Sequence, residues 1–298
     1  MIVVRIVGGL ASQLHKYAVG RALALRHSTA LKLDLSWFEQ RNDVDTPWEY
    51  QLHKYAIRAE KASAAEIRSI QGPALLNRVF DKLERSASWR IPGRKVIKTS
   101  FMAPEDFERL PDNIYLAGEW AGDAYFRAYR QHLLTEMQPV IALCEEAQRL
   151  LEKIDSMPNS VAVHVRRGDF LSNPHASTFH EITPLGYFLQ ATESLTAQHP
   201  NAQFFLFTDD PTWVEETLQP KLGMKSLVVK GLANHEDLLL MSRCTHTVMS
   251  NSGFGWTAAW LNTHPDKQVI APRRWLKNDT ENARLTAHLF AGNWAKLL

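Results

Sequence analysis

The first 35 residues follow the apolar and polar pattern of a strand, a helix and a second strand. Ile2–Val7 is almost continuously apolar and β-branched, as expected for a strand covered on both faces of a parallel sheet. Gly8-Gly9 predicts a tight turn, and apolar residues then recur at helical spacing from Leu10 to His27. Leu31–Leu35 predicts the next strand. Together these segments predict a β-α-β unit.

Strands and helices alternate again after residue 160, with short connections between them. The predicted strands are Val161–Val165, Gln203–Thr208, Ser226–Val229, Thr245–Met249 and Gln268–Ala271. The predicted helices run from Thr183-Pro184 (cap and first helical position) to about Gln198, from near Pro211, over His235–Arg243 and over Phe254–Leu261. Such alternation is typical of a parallel, doubly wound sheet.

The chain therefore predicts two Rossmann-like domains that face one another, an N-terminal one over 1–156 and a C-terminal one over 157–298. Met157–Ser160 is the candidate hinge, after a helical stretch near 125–155. Residues 36–115 show no clear period and receive no detailed assignment. In open parallel sheets, ligands bind beyond the carboxyl ends of the strands, so the chemistry is expected there.

Composition narrows the class of protein. The 298 residues are 45% hydrophobic and 22% charged, as in an average globular protein, and no apolar run approaches the roughly 20 residues that span a bilayer. The apolar N-terminal run is too short for a signal peptide. Only Cys144 and Cys244 are present, which favours a cytoplasmic protein without a disulfide scaffold. A net charge of +2 gives no footprint for nucleic-acid binding.

The end of the first C-terminal strand carries His164-Val165-Arg166-Arg167-Gly168-Asp169. Two adjacent arginines are costly near a sheet interior unless an anion meets them, and the guanidinium fork matches a phosphate. His164, Arg166 and Arg167 are therefore candidate ligands of a phosphate group. The alternative is a structural salt bridge between an arginine and Asp169.

Polar residues also follow the other strands. Asp209 and Asp210 are candidates for hydrogen bonds to a nucleoside, or alternatively for capping a helix at Pro211. Ser250-Asn251-Ser252 opens a helix, so it predicts an anion site, a helix cap, or both. Gly8-Gly9 permits close approach of a ligand to the backbone, or is a plain turn, because it lacks the glycine spacing of a dinucleotide fingerprint.

Two further features carry weaker predictions. The stretch from Arg78 to Lys98 holds seven basic residues against Asp81 and Glu84. It predicts either a solvated basic face or peripheral contact with an anionic membrane surface, at the inner face of the membrane. The twelve histidines show no zinc-type spacing, so no metal site is predicted.

Six segments, in order, resemble the α-1,2-fucosyltransferases of glycosyltransferase family 11. They are Gly8-Gly9-Leu10 to Gln13 with Tyr17 and Gly20–Leu23; Pro111–Gly118 with Trp120; His164–Asp169; Phe207–Asp210 with Trp213; Asp237–Ser242; and Asn251-Ser252 with Phe254, Trp256 and Ala259–Asn262. The chain departs from the family pattern at Ala11-Ser12, Ala121-Gly122, Gly255 and Thr257, where Gly255 stands in place of the usual serine.

The resemblance implies a GT-B-like α/β fold and inverting transfer of L-fucose from GDP-β-L-fucose to the 2-hydroxyl of a terminal galactose. It implies that no metal or other cofactor is required. The acceptor would be a galactose-terminated oligosaccharide or a lipid-linked glycan, as in O-antigen or polysaccharide biosynthesis. The implied donor-binding residues are Gly8, Gly9, Gln13, His164, Arg166, Arg167, Asp209, Ser250, Asn251 and Ser252.

The candidate catalytic residues are Arg166, which would neutralise charge on the leaving diphosphate, and a carboxylate that accepts the acceptor's proton. Asp169 is the first candidate for that base, and Glu119 in the N-terminal domain is the second. Two alternatives stay open. The first is a transferase that moves fucose to another position or uses another GDP-sugar. The second is a protein that binds GDP-sugars or glycans without turnover.

Overall fold

The computed structural model describes the chain except residues 40–47, 74, 75, 78, 81, 83–92, 99–101 and 293, and the side chains of 169, 172 and 174–176. The described residues form two compact units, Met1–Val140 (unit 1) and Ile141–Leu298 (unit 2). The boundary expected from the sequence, after residue 156, lies further along the chain. Cys144 and Cys244 are both free thiols.

Unit 1 is built on a parallel sheet in which the first strand is central. Its strands are β1 (Ile2–Arg5), β2 (Leu31–Asp34), β3 (Glu60–Lys61), β4 (Val96–Ile97) and β5 (Ile114–Leu116). The strand order is β3-β2-β1-β5-β4, and every pairing is parallel. The β-α-β unit predicted from the first 35 residues is confirmed, because β1 and β2 pair in parallel with Ile2 opposite Leu31.

The helices of unit 1 are α1 (Leu10–Arg26), α2 (Ser36–Glu39), α3 (Ala64–Gln71), α4 (Pro104–Glu108) and α5 (Arg130–Glu136), with 3₁₀ turns at Leu52–Lys54 and Arg127–Tyr129. Helix α1 packs directly on the sheet. A Cβ atom at Gly20 would lie 3.0 Å from both Leu31 Cδ1 and Val4 Cγ1, so any larger residue requires these side chains to move. The close packing fixes the loop between β1 and α1 relative to the strand ends.

Unit 2 contains a larger parallel sheet. Its strands are β6 (Ser160–Val165), β7 (Gln203–Thr208), β8 (Ser226–Val229), β9 (His246–Met249), β10 (Val269–Ala271) and β11 (Lys296–Leu297). The order is β11-β10-β9-β6-β7-β8, so the chain adds strands outward from β6 to β8, returns to β9, and adds strands on the other side. This is the Rossmann order, and it confirms the doubly wound sheet predicted from the pattern.

The helices of unit 2 are α6 (Glu145–Asp155), α7 (Gly168–Ser172), α8 (Pro174–Phe179), α9 (Leu185–Gln198), α10 (Pro211–Trp213), α11 (Asn234–Arg243), α12 (Gly253–Leu261) and α13 (Asp279–Leu289), with a π turn at Val214–Leu218 and a 3₁₀ turn at Gln219–Lys221. One prediction was wrong in detail. Pro184, not Thr183, stands at the N-cap position of α9, without a side-chain cap, and the Thr183 hydroxyl instead donates to Asn251 Oδ1 at 2.8 Å.

The core of unit 2 lies between β6, β7 and the helices that cover them. Every residue of β6 is buried, and Phe204, Phe205 and Phe207 of β7 are at most 2% exposed. Burying side chains of this size contributes about 1.5–3 kcal/mol each. This core holds the carboxyl ends of β6 and β7 in fixed register.

Candidate functional site

The strands β6 and β9 are parallel neighbours at the centre of the unit 2 sheet, and the order in which the chain adds strands to the sheet reverses between them. In doubly wound sheets, the crevice at this switch point is the usual place of ligand binding. Arg166 and Arg167 follow β6, and Ser250–Ser252 follow β9. The structure therefore brings the arginine motif and the Ser-Asn-Ser motif to the same point of the sheet edge.

The arginines pair with carboxylates from the next strand. Val165 lies opposite Thr208, so Arg166 and Asp209 follow the two strands at the same level. Arg166 Nε lies 3.2 Å from Asp209 Oδ2, and the backbone N–H of Arg167 donates to Asp209 Oδ1 at 2.8 Å. A Cβ at Gly168 would come within 3.1 Å of the same carboxylate, so the glycine makes room for Asp209.

Arg167 is held on both sides. Its Nε lies 3.4 Å from Asp210 Oδ2, and its guanidinium carbon lies 4.0 Å from the centre of the Trp213 ring. Asp210 also caps α10, accepting from Trp213 N at 3.1 Å, which confirms the capping alternative for that residue. The described salt bridges thus reach Asp209 and Asp210, whereas the side chain of Asp169 lies outside the described residues.

His164 is buried near the carboxyl end of β6. Its Nδ1 lies 3.2 Å from Ser250 Oγ. Burial, and then the charge of Arg166, lower the pKa of His164 to about 3, so its ring is neutral at ordinary pH. A Cβ at Gly255 would lie 3.0 Å from His164 Nδ1 and 2.9 Å from Met249 Cβ. The departure from the family pattern at Gly255 therefore has a packing reason.

The polar side chains after β9 hold the loop together. Ser250 Oγ accepts from Arg166 N at 3.1 Å, and Ser252 Oγ caps α12 by accepting from Phe254 N. The buried Asn251 amide donates to Glu181 O at 2.6 Å and to Trp275 O at 3.1 Å. The capping alternative is confirmed for Ser252, and contacts with a phosphate remain predictions.

The corresponding point in unit 1 lies between β1 and β5, where the strand order again reverses. Gly8, with a φ of +78°, and Gly9 follow β1, and Glu119 follows β5. Glu119 Oε2 lies 2.6 Å from Nζ of Lys16, whose side chain is buried while that of Glu119 is 69% exposed. Glu119 is therefore an oriented carboxylate at the carboxyl-end edge of the unit 1 sheet, and its catalytic role stays a prediction.

The surroundings of Gln13 differ from those expected of a residue that binds the GDP-sugar donor. It is fully buried, and its amide donates to Gly8 O and Glu49 O, both at 2.8 Å. Its Oε1 accepts from Gln51 N at 2.8 Å. All these bonds are internal, so Gln13 fixes the loop around Gly8.

One carboxylate escaped the sequence analysis. Asp237 is half-buried in the first turn of α11, the helix that follows β8. Burial, and then the charge of Glu236, raise the pKa of Asp237 to about 7. Glu236 itself is fixed by the backbone N–H groups of Ala233 and Cys144. The only signal for Asp237 in the sequence was its place in the resembling segment Asp237–Ser242, to which no role was given.

Two other predictions meet the structure only in part. Within the described residues, no group of three or more His, Cys, Asp or Glu side chains is arranged to hold a metal ion. Of the seven basic residues in the stretch 78–98, three (Arg78, Arg85 and Arg90) lie outside them; Lys82, Lys95 and Lys98 are exposed, and Arg94 is buried. Among the helices that the structure describes, none has the length and hydropathy needed to span a bilayer.

Fold and site together define a protein with two Rossmann-like α/β units and an arginine–carboxylate cluster at a sheet switch point. The sequence model of Glycosyl transferase family 11 matches residues 96–297, more than half of the chain. The chain therefore belongs to glycosyl transferase family 11, which confirms the resemblance.

Curated relatives extend over nearly the whole chain. The O-antigen biosynthesis glycosyltransferase WbnK of Escherichia coli is 27% identical over 292 residues, covering 92% of this chain and 95% of its own. An alpha-1,2-colitosyltransferase of Escherichia coli is 26% identical and covers 95% of both chains. Galactoside alpha-(1,2)-fucosyltransferase 1 of Oryctolagus cuniculus is 28% identical, over 70% of this chain and 56% of its own.

Solved structures agree on the fold. The NodZ alpha-1,6-fucosyltransferase co-crystallised with GDP superposes with a TM-score of 0.50 at 14% identity, over 87% of this chain and 91% of its own. Arabidopsis thaliana FUT1 (R284K) with GDP gives 0.50 at 10% identity, over 90% of this chain and 69% of its own. At these identities the likeness carries the GT-B-like α/β fold alone.

Proposed function

We propose that this glycosyltransferase moves L-fucose from GDP-β-L-fucose to the 2-hydroxyl of a terminal galactose, with inversion at the anomeric carbon. The arginine–carboxylate cluster at the unit 2 switch point is the observation that carries the donor half. Membership of family 11 and the relatives' names support the sugar and the linkage. On this proposal unit 2 binds the donor and unit 1 the acceptor.

Arg166 and Arg167 stabilise the leaving GDP. Negative charge grows on the diphosphate as the bond from the anomeric carbon to oxygen breaks, and fixed cations at that position lower the barrier. The geometry suits this task because Asp209 and Asp210 fix the guanidinium planes in advance. A preorganised cation loses little rotamer freedom when the diphosphate arrives.

The acceptor hydroxyl attacks the face opposite GDP and gives up its proton to a carboxylate. Asp169 and Glu119 remain the two candidates for that base. Asp209 already pairs with the Arg166 side chain and accepts from the Arg167 backbone N–H. Asp237 is therefore a second candidate, beside Asp209, for the contact with the nucleoside. A half-buried carboxylate with a raised pKa gains from the N–H donors of a guanine base.

A second candidate donor is another GDP-sugar, the alternative held open from the sequence. The observation that favours it is the relative described as an alpha-1,2-colitosyltransferase, which covers 95% of this chain. Parallel assays with GDP-fucose and GDP-colitose, each with lactose, distinguish the two donors.

The test is acceptor-dependent release of GDP from GDP-β-L-fucose with lactose, followed by NMR of the product. We expect an α-1,2 linkage. Substitution Arg166→Ala should lower turnover on the order of 10²–10³-fold. Arg243→Ala is the matched control, because Arg243, in the last turn of α11, forms only an exposed salt bridge with Asp155 among the described ion pairs. Binding of GDP-fucose without turnover on any acceptor would favour the silent binder instead.

A further inference from the structure

Unit 1 carries a cluster of half-buried aromatic side chains that the donor chemistry does not use. We call Trp37, Phe38, Trp48 and Tyr50 the aromatic surface. The rings of Trp37 and Phe38 lie 5.0 Å apart, and those of Phe38 and Tyr50 lie 5.9 Å apart. The exposed His53 ring lies 5.7 Å from Tyr50. The surface thus combines apolar faces with a phenol and an imidazole.

The aromatic surface lies at the carboxyl-end edge of the unit 1 sheet. Trp37 and Phe38 lie in α2, which begins at Ser36, just after β2 ends. The Trp48 indole lies against Gly9, just after β1. Since β1 and β2 are parallel neighbours, both segments lie at the carboxyl ends of the strands, where ligands bind in such sheets.

Contacts with the loop around Gly8 and Gly9 hold the aromatic surface in place. Gln13 is fully buried and bonds the backbone of Gly8, Glu49 and Gln51, on either side of Tyr50. A Cβ at Gly9 would lie 3.4–3.5 Å from three atoms of the Trp48 indole, so the indole rests closely on this glycine. These bonds and contacts preorganise the rings, and a preorganised surface loses less entropy when a ligand binds.

We propose that the aromatic surface binds a pyranose ring of the acceptor glycan, an inference that rests on the proposed function. The C–H face of a sugar packs on aromatic rings, and its hydroxyls need polar groups at the rim. Tyr50 and His53 supply such groups. Uncharged rings suit a neutral sugar, whereas a nucleoside diphosphate requires the arginines of unit 2.

The experiment compares Michaelis constants for lactose and for GDP-fucose. Trp48→Ala and Tyr50→Ala should raise the KM for lactose about tenfold and leave the KM for GDP-fucose unchanged. Trp48→Phe, which keeps a ring, should restore most of the loss. Tyr129→Ala is the matched control, since Tyr129 is a half-buried aromatic residue of the same unit packed on His132.

An unchanged KM for lactose in both alanine variants overturns the proposal. A raised KM for GDP-fucose instead would show that the surface stacks on the guanine base, which also overturns it. If the wild-type protein transfers fucose to no galactoside, the proposed function fails and binding is measured directly. Saturation-transfer NMR of lactose in the presence of GDP should then show that lactose contacts the wild-type protein and that Trp48→Ala abolishes this contact. No contact between lactose and the wild-type protein would refute the proposal.

Discussion

Substitution Gly255→Ala tests whether close packing of α12 on β6 shapes the donor site. The added Cβ would lie 2.9 Å from Met249 Cβ and 3.0 Å from His164 Nδ1. Met249 Cβ is attached to the backbone of β9, so α12 or the strands must move to relieve the contact. Overpacking of this kind costs about 1–3 kcal/mol of unfolding free energy. The same movement shifts His164, whose ring contacts Ser250, the residue that accepts from Arg166 N. We therefore also expect weaker binding of GDP.

Gly186→Ala is the matched control in the same unit. Gly186 lies in the first turn of α9, and a Cβ there would meet no atom within 4 Å. Alanine in a helix is favoured over glycine by up to about 1 kcal/mol, so this variant should be as stable as the wild type or more stable. Urea unfolding followed by circular dichroism gives both midpoints. A midpoint for Gly255→Ala at or above that of the wild type refutes the packing argument.

Two further predictions concern buried charge. Burial and the neighbouring His199 and His264 lower the pKa of His246 to about 4, below the ordinary value near 6.5. The unfolded chain therefore takes up a proton that the folded chain refuses, so stability falls as pH drops from about 6.5 towards 4, by up to about 1.4 kcal/mol per pH unit for this group. His246→Asn should make that slope shallower in urea titrations at several pH values, with the part that comes from His164 retained; an unchanged slope contradicts the assignment. Glu119→Gln leaves the buried Lys16 without its carboxylate and should cost about 1–3 kcal/mol of unfolding free energy, which Lys16→Met in the same chain should largely restore; an equally unstable double variant contradicts the pairing.

Long apolar strands made the fold of unit 2 predictable. Strands β7 and β8 begin and end where the sequence places them, because each is an apolar run between polar turns. Residues 36–115 resisted assignment for an equally physical reason. Strands β3 and β4 have two residues each, too few to show an alternating period, and Glu60 and Lys61 are exposed at the sheet edge. Pairing with longer neighbours, not local pattern, makes them strands.

The candidate site was predictable as a set of strand ends but not as a set of contacts. The sequence placed Arg166, Asp209 and Ser252 at three carboxyl ends. It did not identify the carboxylate that faces each arginine, because that depends on strand register. The observed register puts Asp209 opposite Arg166. Gln13 shows the same limit, since a motif residue and a buried loop anchor look alike in sequence.

Calorimetric titration with GDP and with guanosine tests the central claim, that the unit 2 switch point holds the diphosphate of the donor. The account predicts that Arg166→Ala weakens GDP binding by at least about tenfold and leaves guanosine binding unchanged, because the lost contacts are to phosphate oxygens. Arg243→Ala should bind both as the wild type does. Equal affinity of the wild type and Arg166→Ala for GDP would contradict the account.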